Sequence, residues 1–257
     1  MTINQAFEIL KKSGGVRSAR IITENIRFLP AVRVWFIARE LRRGVPVAKI
    51  IHQKWFYGLP FYTNKNTLDP RPDTETLVSA VISDNPTAPR ILDLGTGTGC
   101  IIISLVKNIY GATGTAVDIS RGALRVARRN IKKFNLSDKI KTVRASFDTP
   151  HAVHEKFDII VSNPPYIACG DTRVDTGAMH DPRVALYAKN NGLSAYEQIA
   201  QNAKHWLKKS GRIYLEIGAG MEKSVRKIFE SRAWKFIRAE RDLGHVIRVL
   251  VFGFTIK

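Results

Sequence analysis

Four consecutive residues, Asn163, Pro164, Pro165 and Tyr166, are of the types that hold a planar nitrogen next to an electrophile. They follow the apolar run 157–161, which predicts a short buried strand. Asn163 offers a side-chain oxygen as a hydrogen-bond acceptor. The two prolines lack an N–H and fix the backbone, so that a carbonyl can point outward as a second acceptor. Tyr166 supplies a flat face for a planar group. The corner thus predicts binding of an amide or amine nitrogen, and a plain turn is the alternative.

A glycine-rich loop predicts a second binding element. The strand pattern 90–94 leads into Gly95, Thr96, Gly97, Thr98 and Gly99, and a helix pattern follows. Glycines at alternate positions let the backbone turn tightly and approach a ligand closely. Asp118 ends the next predicted strand, where a carboxylate can accept both hydroxyl groups of a ribose.

The spacing of this loop favours S-adenosylmethionine over NAD or ATP. Dinucleotide-binding loops follow G-x-G-x-x-G, and phosphate-binding loops add Gly-Lys-Ser/Thr, neither of which is present. S-adenosylmethionine carries a ribose and an amino-acid tail but no phosphate. We expect Asp93 to hold loop amides or the cofactor's ammonium group. Phe147, after a later strand, is placed to stack on the adenine, with a core position as the alternative.

Strand and helix patterns alternate from Asp73 onward, which predicts a parallel sheet with helices on both faces. Only residues 242–245 separate the last two strands, so the last strand must run antiparallel to its neighbour. The predicted strands are 90–94, 115–118, 140–145, 157–162, 212–217, 234–241 and 246–254, and the predicted helices are 100–108, 121–134 and 193–208.

Three regions follow from these patterns. Residues 1–44 are predicted to be a helical region in which Gly14-Gly15 breaks the first helix and Pro30 opens another. Residues 45–72, rich in glycine, proline and aromatic residues, are predicted to be a linker with a short hairpin. Residues 73–257 are predicted to form the α/β domain.

The formal net charge of +19 on 257 residues predicts proximity to polyanions such as nucleic acid or the ribosome, with solvated helix faces as the alternative. Nine Lys and Arg residues lie in the segment from Arg121 to Arg144, against the single acid Asp138.

No apolar stretch is long enough to span a bilayer, and residues 1–12 lack the charged-then-apolar order of a signal peptide. Cys100, Cys169 and the histidines show no ligand spacing, so no metal site and a cytoplasmic location are expected.

Together these motifs resemble the N5-glutamine methyltransferases of peptide chain release factors. The sharpest element is Pro-Arg-Pro-Asp-Thr-Glu at 70–75, which the residues alone describe only as a helix start with Asp73 as N-cap. The Asn-Pro-Pro-Tyr corner is shared with adenine-N6 methyltransferases. Ser146 replaces the acid common in the family, and the amino-terminal helical region is shorter than usual. Further matching segments are 44–46, 181–186, 192–193, 216–218, 242–244 and 248–249.

The resemblance implies a seven-stranded Rossmann-like class I methyltransferase sheet with an antiparallel last strand, plus a small amino-terminal helical domain for substrate docking. It implies a monomeric, cytoplasmic enzyme of translation termination. This enzyme transfers a methyl group from S-adenosyl-L-methionine to the glutamine amide nitrogen in the Gly-Gly-Gln loop of release factors. No strong base is apparent in the motif. A nucleic-acid base methyltransferase of the adenine-N6 type is the alternative function, and a non-catalytic cofactor-binding or ribosome-associated module is a third.

By that resemblance the catalytic residues are Asn163, Pro164, Pro165 and Tyr166. The residues implied to bind the cofactor are Asp93, Gly95, Thr96, Gly97, Thr98, Gly99, Asp118, Phe147 and Asn163.

Overall fold

Helices and strands alternate through most of the chain in a computed structural model, which describes residues 1–26, 28–171 and 177–254. The helices are α1 (Ile3–Asn25), α2 (Ala31–Arg42), α3 (Val47–Ile51), α4 (Glu75–Ser83), α5 (Cys100–Asn108), α6 (Arg121–Lys133), α7 (Arg183–Leu186), α8 (Lys189–Gly192), α9 (Ser194–Asn202) and α10 (Glu222–Glu230). The strands are β1 (Gln53–Phe56), β2 (Leu59–Tyr62), β3 (Arg90–Leu94), β4 (Thr113–Asp118), β5 (Ile140–Arg144), β6 (Phe157–Ser162), β7 (Ile167–Ala168), β8 (Tyr187–Ala188), β9 (Leu207–Glu216), β10 (Trp234–Arg241) and β11 (Ile247–Phe254).

Seven strands form one sheet in the order β10-β11-β9-β6-β3-β4-β5. The pairs β6–β9, β3–β6, β3–β4 and β4–β5 are parallel. Strand β11 runs antiparallel to both β9 and β10. The short loop between β10 and β11 leaves no room for a crossover, so these two strands must be antiparallel. The predicted fold class, a seven-stranded sheet with an antiparallel last strand, is confirmed.

The sheet lies between two apolar layers. Ile91, Ile159 and Val161 pack with α4 and α5 on one face, whereas Leu92 and Ile160 pack with α9 and α10 on the other. Alternate strand residues therefore point to opposite faces, as both-sided burial of a parallel sheet requires. This packing fixes the carboxyl ends of β3, β4 and β6, which carry the residues of interest.

The amino-terminal helices have a core of their own, in which Leu10, Ile22, Val34 and Ile37 are buried. The expected break in the first helix is present, because Gly15 has φ +81° and ψ 167°. Pro30 is the N-cap of α2, also as expected. The antiparallel hairpin β1–β2 and the short helix α3 follow. The proposed boundaries at residues 44 and 72 stay a prediction.

Two predictions about local structure were wrong, and one helix was missed. The helix predicted over 193–208 ends as α9 at Asn202, and β9 begins at Leu207, which pairs with Phe157. Helix α10 was not predicted. Asp73 does not cap α4, since the N-cap position lacks a side-chain hydrogen bond and Asp73 pairs with Arg248 at 2.9 Å. No helix of the described residues has the length and apolar character needed to cross a membrane.

Candidate active site

Two cavities open side by side at the carboxyl ends of the parallel strands. The first, the glycine-loop cavity, has a volume of about 510 Å³, and its wall includes Gly95, Gly97, Asp118 and Phe147. The second, the tyrosine cavity, has a volume of about 590 Å³, and its wall includes Arg71, Tyr166, Glu216 and Arg248. Ligands bind at this edge in open α/β sheets.

The Asn-Pro-Pro-Tyr corner separates the two cavities. Asn163 lines both of them, Pro165 lines the glycine-loop cavity, and Pro164 and Tyr166 line the tyrosine cavity. The corner follows β6 directly, so the strand end sets its position. A group bound in either cavity therefore meets the same asparagine.

The glycine loop has a backbone that favours glycine at each alternate position. Gly95, Gly97 and Gly99 have φ of +76°, +55° and +80°, in the left-handed region. A Cβ atom on Gly95 would lie 3.3 Å from the Phe147 ring, which is tight even before any ligand is considered. The aromatic side chain and the bare loop together form one wall of the cavity.

Asp118 stabilises the loop and faces the same cavity. One carboxylate oxygen accepts a hydrogen bond from the Gly97 N–H at 3.0 Å, and the other accepts one from the Ser120 N–H at 2.8 Å. Burial raises the pKa of Asp118, and these two backbone hydrogen bonds oppose the rise. Each oxygen retains acceptor capacity for a ligand hydroxyl.

Four of the predicted cofactor residues lie behind this wall. Asp93, Thr96, Thr98 and Gly99 are buried, and the Thr96 hydroxyl donates to Asp93 at 2.6 Å. Burial raises the pKa of Asp93 to about 7. Asp93 thus holds the loop from within, while its contact with a cofactor ammonium group stays a prediction.

On the other side of the corner, Asn163 and Tyr166 are each held by neighbours. The Asn163 Nδ2 donates to the Thr74 hydroxyl oxygen at 3.1 Å. The Tyr166 ring lies 3.0 Å from the position of a Cβ on Gly218, so glycine gives it room. Burial raises the pKa of Tyr166 to about 12, which keeps its hydroxyl protonated.

Sequence reasoning gave no role to Glu216, Thr74 or Arg248. Glu216 is 2% exposed at the end of β9, and burial raises its pKa to about 7. Arg248 lines the tyrosine cavity and pairs with Asp73 and Asp242, at 2.9 and 2.8 Å. The sequence signal that could have found Glu216 is an acid at the end of an apolar strand, at the carboxyl edge of the sheet.

In the described ranges, no cluster of His, Cys, Asp and Glu is arranged to hold a metal ion.

Comparisons with known proteins agree with this architecture. Residues 65–180 match the family model described as the methyltransferase small domain. The crystal structure of a methyltransferase from Pyrococcus furiosus has a TM-score of 0.59 at 17% identity, and the match covers 77% of this chain and 89% of that one. The fold is that of the class I methyltransferases, and the matched family model is that of a methyltransferase domain.

Closer relatives narrow this class to a family. The release factor glutamine methyltransferase of Agrobacterium fabrum is 36% identical, over 86% of this chain and 79% of that protein. That of Flavobacterium psychrophilum is 34% identical, over 98% of this chain and 90% of that protein. The chain belongs to the release factor glutamine methyltransferase family.

Another relative is considerably longer than the matched region. A bifunctional methyltransferase of Rickettsia felis is 38% identical over 81% of this chain, but the match covers 45% of that protein. The chain thus spans about half the length of this relative.

Proposed function

We propose that the protein transfers a methyl group from S-adenosyl-L-methionine to the side-chain amide nitrogen of the glutamine in the Gly-Gly-Gln loop of peptide chain release factors, in the cytoplasm. The observation that carries this proposal is the position of Asn163, which lines both cavities. Family membership supplies the substrate.

The residues of the glycine-loop cavity fit S-adenosylmethionine. Positive-φ glycines leave a cradle without side chains, Asp118 offers carboxylate oxygens to a ribose, and the Phe147 ring lies on Gly95 where a planar base can stack. When bound, this cofactor supplies an electrophilic methyl group on a sulfonium. Gly95, Gly97, Asp118, Phe147 and Asn163 would hold it directly. Asp93, Thr96, Thr98 and Gly99 would keep the loop in shape from behind.

The acceptor amide would occupy the tyrosine cavity. Because Asn163 donates its Nδ2 to Thr74, its oxygen is left to accept an N–H of the substrate amide. The Pro164 carbonyl would accept the second N–H, and the Tyr166 ring would pack on the amide plane. Pro165 stiffens the corner.

Catalysis on this view consists mainly of positioning. An amide nitrogen is a poor nucleophile because its lone pair is delocalised into the carbonyl. Two acceptors that fix both N–H groups favour pyramidalisation and direct the lone pair toward the methyl group. Holding two reactants in this way can lower a barrier by several kcal/mol.

In the decisive experiment, purified protein is incubated with methyl-labelled S-adenosylmethionine and with each of four acceptors. These are a full-length release factor, the same factor with its loop glutamine changed to alanine, total RNA and total DNA. We expect label in the intact factor alone, with mass spectrometry placing the methyl group on the glutamine. Label in RNA or DNA but not in the factor would transfer the function to base methylation.

The helical region 1–44 is proposed to dock the release factor. Val32, Trp35 and Phe36 on one face of α2 are 83%, 56% and 62% exposed, although the helix buries its opposite face. Exposed apolar side chains at helical spacing are typical of a surface that meets a partner. Their attachment next to the catalytic domain suits a substrate that must reach the tyrosine cavity.

Besides the release factor, RNA is a proposed partner, and it would contact one face of α6. This basic face consists of six exposed side chains, spaced so that they share one side of the helix: Arg121, Arg125, Arg128, Arg129, Lys132 and Lys133. The helix contains no acid, and in the described parts of the chain none of the six forms an ion pair with a carboxylate. Such a surface attracts the phosphate backbone, which brings the enzyme near the translation machinery.

Charge reversal on the basic face should weaken RNA binding. For the triple variant Arg121→Glu, Arg125→Glu and Lys132→Glu, we expect the slope of log affinity against log salt to become shallower by about 2 for single-stranded RNA. Fluorescence anisotropy at several salt concentrations measures this slope. The matched control replaces Lys12, Arg17 and Arg20 on α1 by glutamate, which changes the net charge by the same amount as the α6 triple variant. Equal loss of binding in both triples would show that total charge, and not this face, is responsible.

A further inference from the structure

Glu216 lies directly beside Asn163 at the carboxyl edge of the sheet. In the parallel pair β6–β9, Ser162 is opposite Leu215, so the next residues, Asn163 and Glu216, follow side by side. Glu216 lines the tyrosine cavity together with Pro164 and Tyr166. Glu216 is 2% exposed and borders the place where the acceptor amide would bind.

A short hydrogen-bonded chain orients this carboxyl group. Asn163 Nδ2 donates to the Thr74 hydroxyl oxygen, and hydrogen bonds with Thr74 and Asn163 favour the ionised form of Glu216 and oppose the rise in its pKa. One carboxylate oxygen, Oε2, is buried and has no hydrogen-bond partner among the described residues. An unpartnered buried oxygen costs free energy, unless a ligand satisfies it.

The methylation leaves the nitrogen with a proton that it must lose. A nitrogen that forms a fourth bond carries positive charge and must lose a proton before the planar amide is restored. Extending the function proposed above, on which this step rests, we propose that Glu216 is the general base that takes this proton. The nitrogen–methyl bond forms, and the methyl–sulfur bond breaks with its electron pair going to sulfur. After transfer, the N–H that the Asn163 oxygen held turns to Glu216 Oε2 next to it, and the proton passes to this oxygen and then to solvent.

The other ionisable groups around Glu216 do not suit this task. Asp73 is paired with Arg248, and the pKa of Tyr166 is raised to about 12 by burial, so the phenol stays protonated. Burial likewise raises the pKa of Tyr196 far above its usual value and that of Cys100 to about 12. Glu216, with a pKa raised by burial to about 7, is matched to a base that works near neutral pH.

The test compares wild type with Glu216→Gln and with the control Glu222→Gln on α10. The glutamine keeps the shape of the side chain but cannot take a proton. In single-turnover assays with a release factor, we expect the wild-type and Glu222→Gln rates to rise with pH through about 7, because Glu216 is a carboxylate above its pKa. The Glu216→Gln rate should be lower by about 100-fold and independent of pH in this range.

Three measurements separate loss of the base from loss of structure. Calorimetry should give the same cofactor affinity for all three proteins, since Glu216 lines only the tyrosine cavity. Carboxyl-carbon NMR of the cofactor-free protein should show one glutamate that titrates near pH 7 in wild type and is absent from Glu216→Gln. Formate should restore part of the activity of Glu216→Ala, because it can occupy the emptied space and accept a proton.

The outcomes distinguish this inference from the proposed function. If wild type methylates the release factor while Glu216→Gln matches it in rate and pH profile, the base assignment is wrong and the function stands. If wild type labels no release factor, the proposed function fails and the base assignment fails with it. A pH-dependent wild type with a slow, pH-independent Glu216→Gln supports both.

Discussion

Asn163→Ala should lose methyl transfer by about two to three orders of magnitude in turnover while it still binds S-adenosylmethionine. The variant removes the side-chain oxygen that would fix one N–H of the substrate amide, and with it the main device for directing the nitrogen lone pair. Cofactor affinity should change only severalfold, because Gly95, Gly97, Asp118 and Phe147 line the glycine-loop cavity independently of this side chain. Single-turnover methylation of a release factor and calorimetry with the cofactor measure the two effects separately.

The matched control is Tyr166→Phe, which keeps the aromatic face and removes only the hydroxyl. Since that hydroxyl has a pKa near 12 and stays protonated, we expect this variant to retain most of its activity. A turnover of Asn163→Ala equal to that of wild type would show that the corner does not hold the acceptor. Equal losses in both variants would instead indicate general disturbance of the tyrosine cavity.

The sequence predicts the fold correctly where the local hydrophobic pattern and the chain topology agree. The strands at 90–94 and 157–162 are short apolar runs bounded by turn residues, and both were predicted with the bounds that the structure has. The four residues at 242–245 were enough to require an antiparallel last strand. The boundary near 203–208 was misplaced because tertiary contacts override local helix preference there. Trp206 is buried and donates its indole N–H to the Pro150 carbonyl at 3.0 Å, and Leu207 pairs with Phe157.

The sequence predicts only part of the candidate site, because sequence motifs show which residues are neighbours along the chain and not which are neighbours across the sheet. The Asn-Pro-Pro-Tyr corner and the glycine loop are each contiguous, so their residues stand out together. Glu216 and Thr74 meet Asn163 only after β9 and the segment before α4 are placed beside β6. Burial then changes the chemistry of Glu216 by raising its pKa to about 7, which no local pattern signals.

A buried cluster of charged side chains lies behind one wall of the tyrosine cavity. Lys49 on α3 is 8% exposed and pairs with Asp69 at 2.8 Å and with Asp181 at 2.9 Å. It also donates to the carbonyl oxygens of Asn64 and Thr67. Asp181 in turn pairs with Arg71, which lines the tyrosine cavity, at 2.9 Å. The cluster therefore joins the linker region to the segments that carry the cavity wall.

Lys49→Met should destabilise the protein by about 3–5 kcal/mol, because removal of one partner leaves buried carboxylates without their cation. For a protein of this size, the expected fall in melting temperature is roughly 6–20 °C, which calorimetry or circular dichroism can measure. The control Lys11→Met breaks an exposed pair with Glu8, at 3.5 Å, and should cost less than about 1 kcal/mol. If Lys49→Met melts like the control, the carboxylates of Asp69 and Asp181 must be satisfied without the lysine, by Thr63 and Arg71, which already contact them.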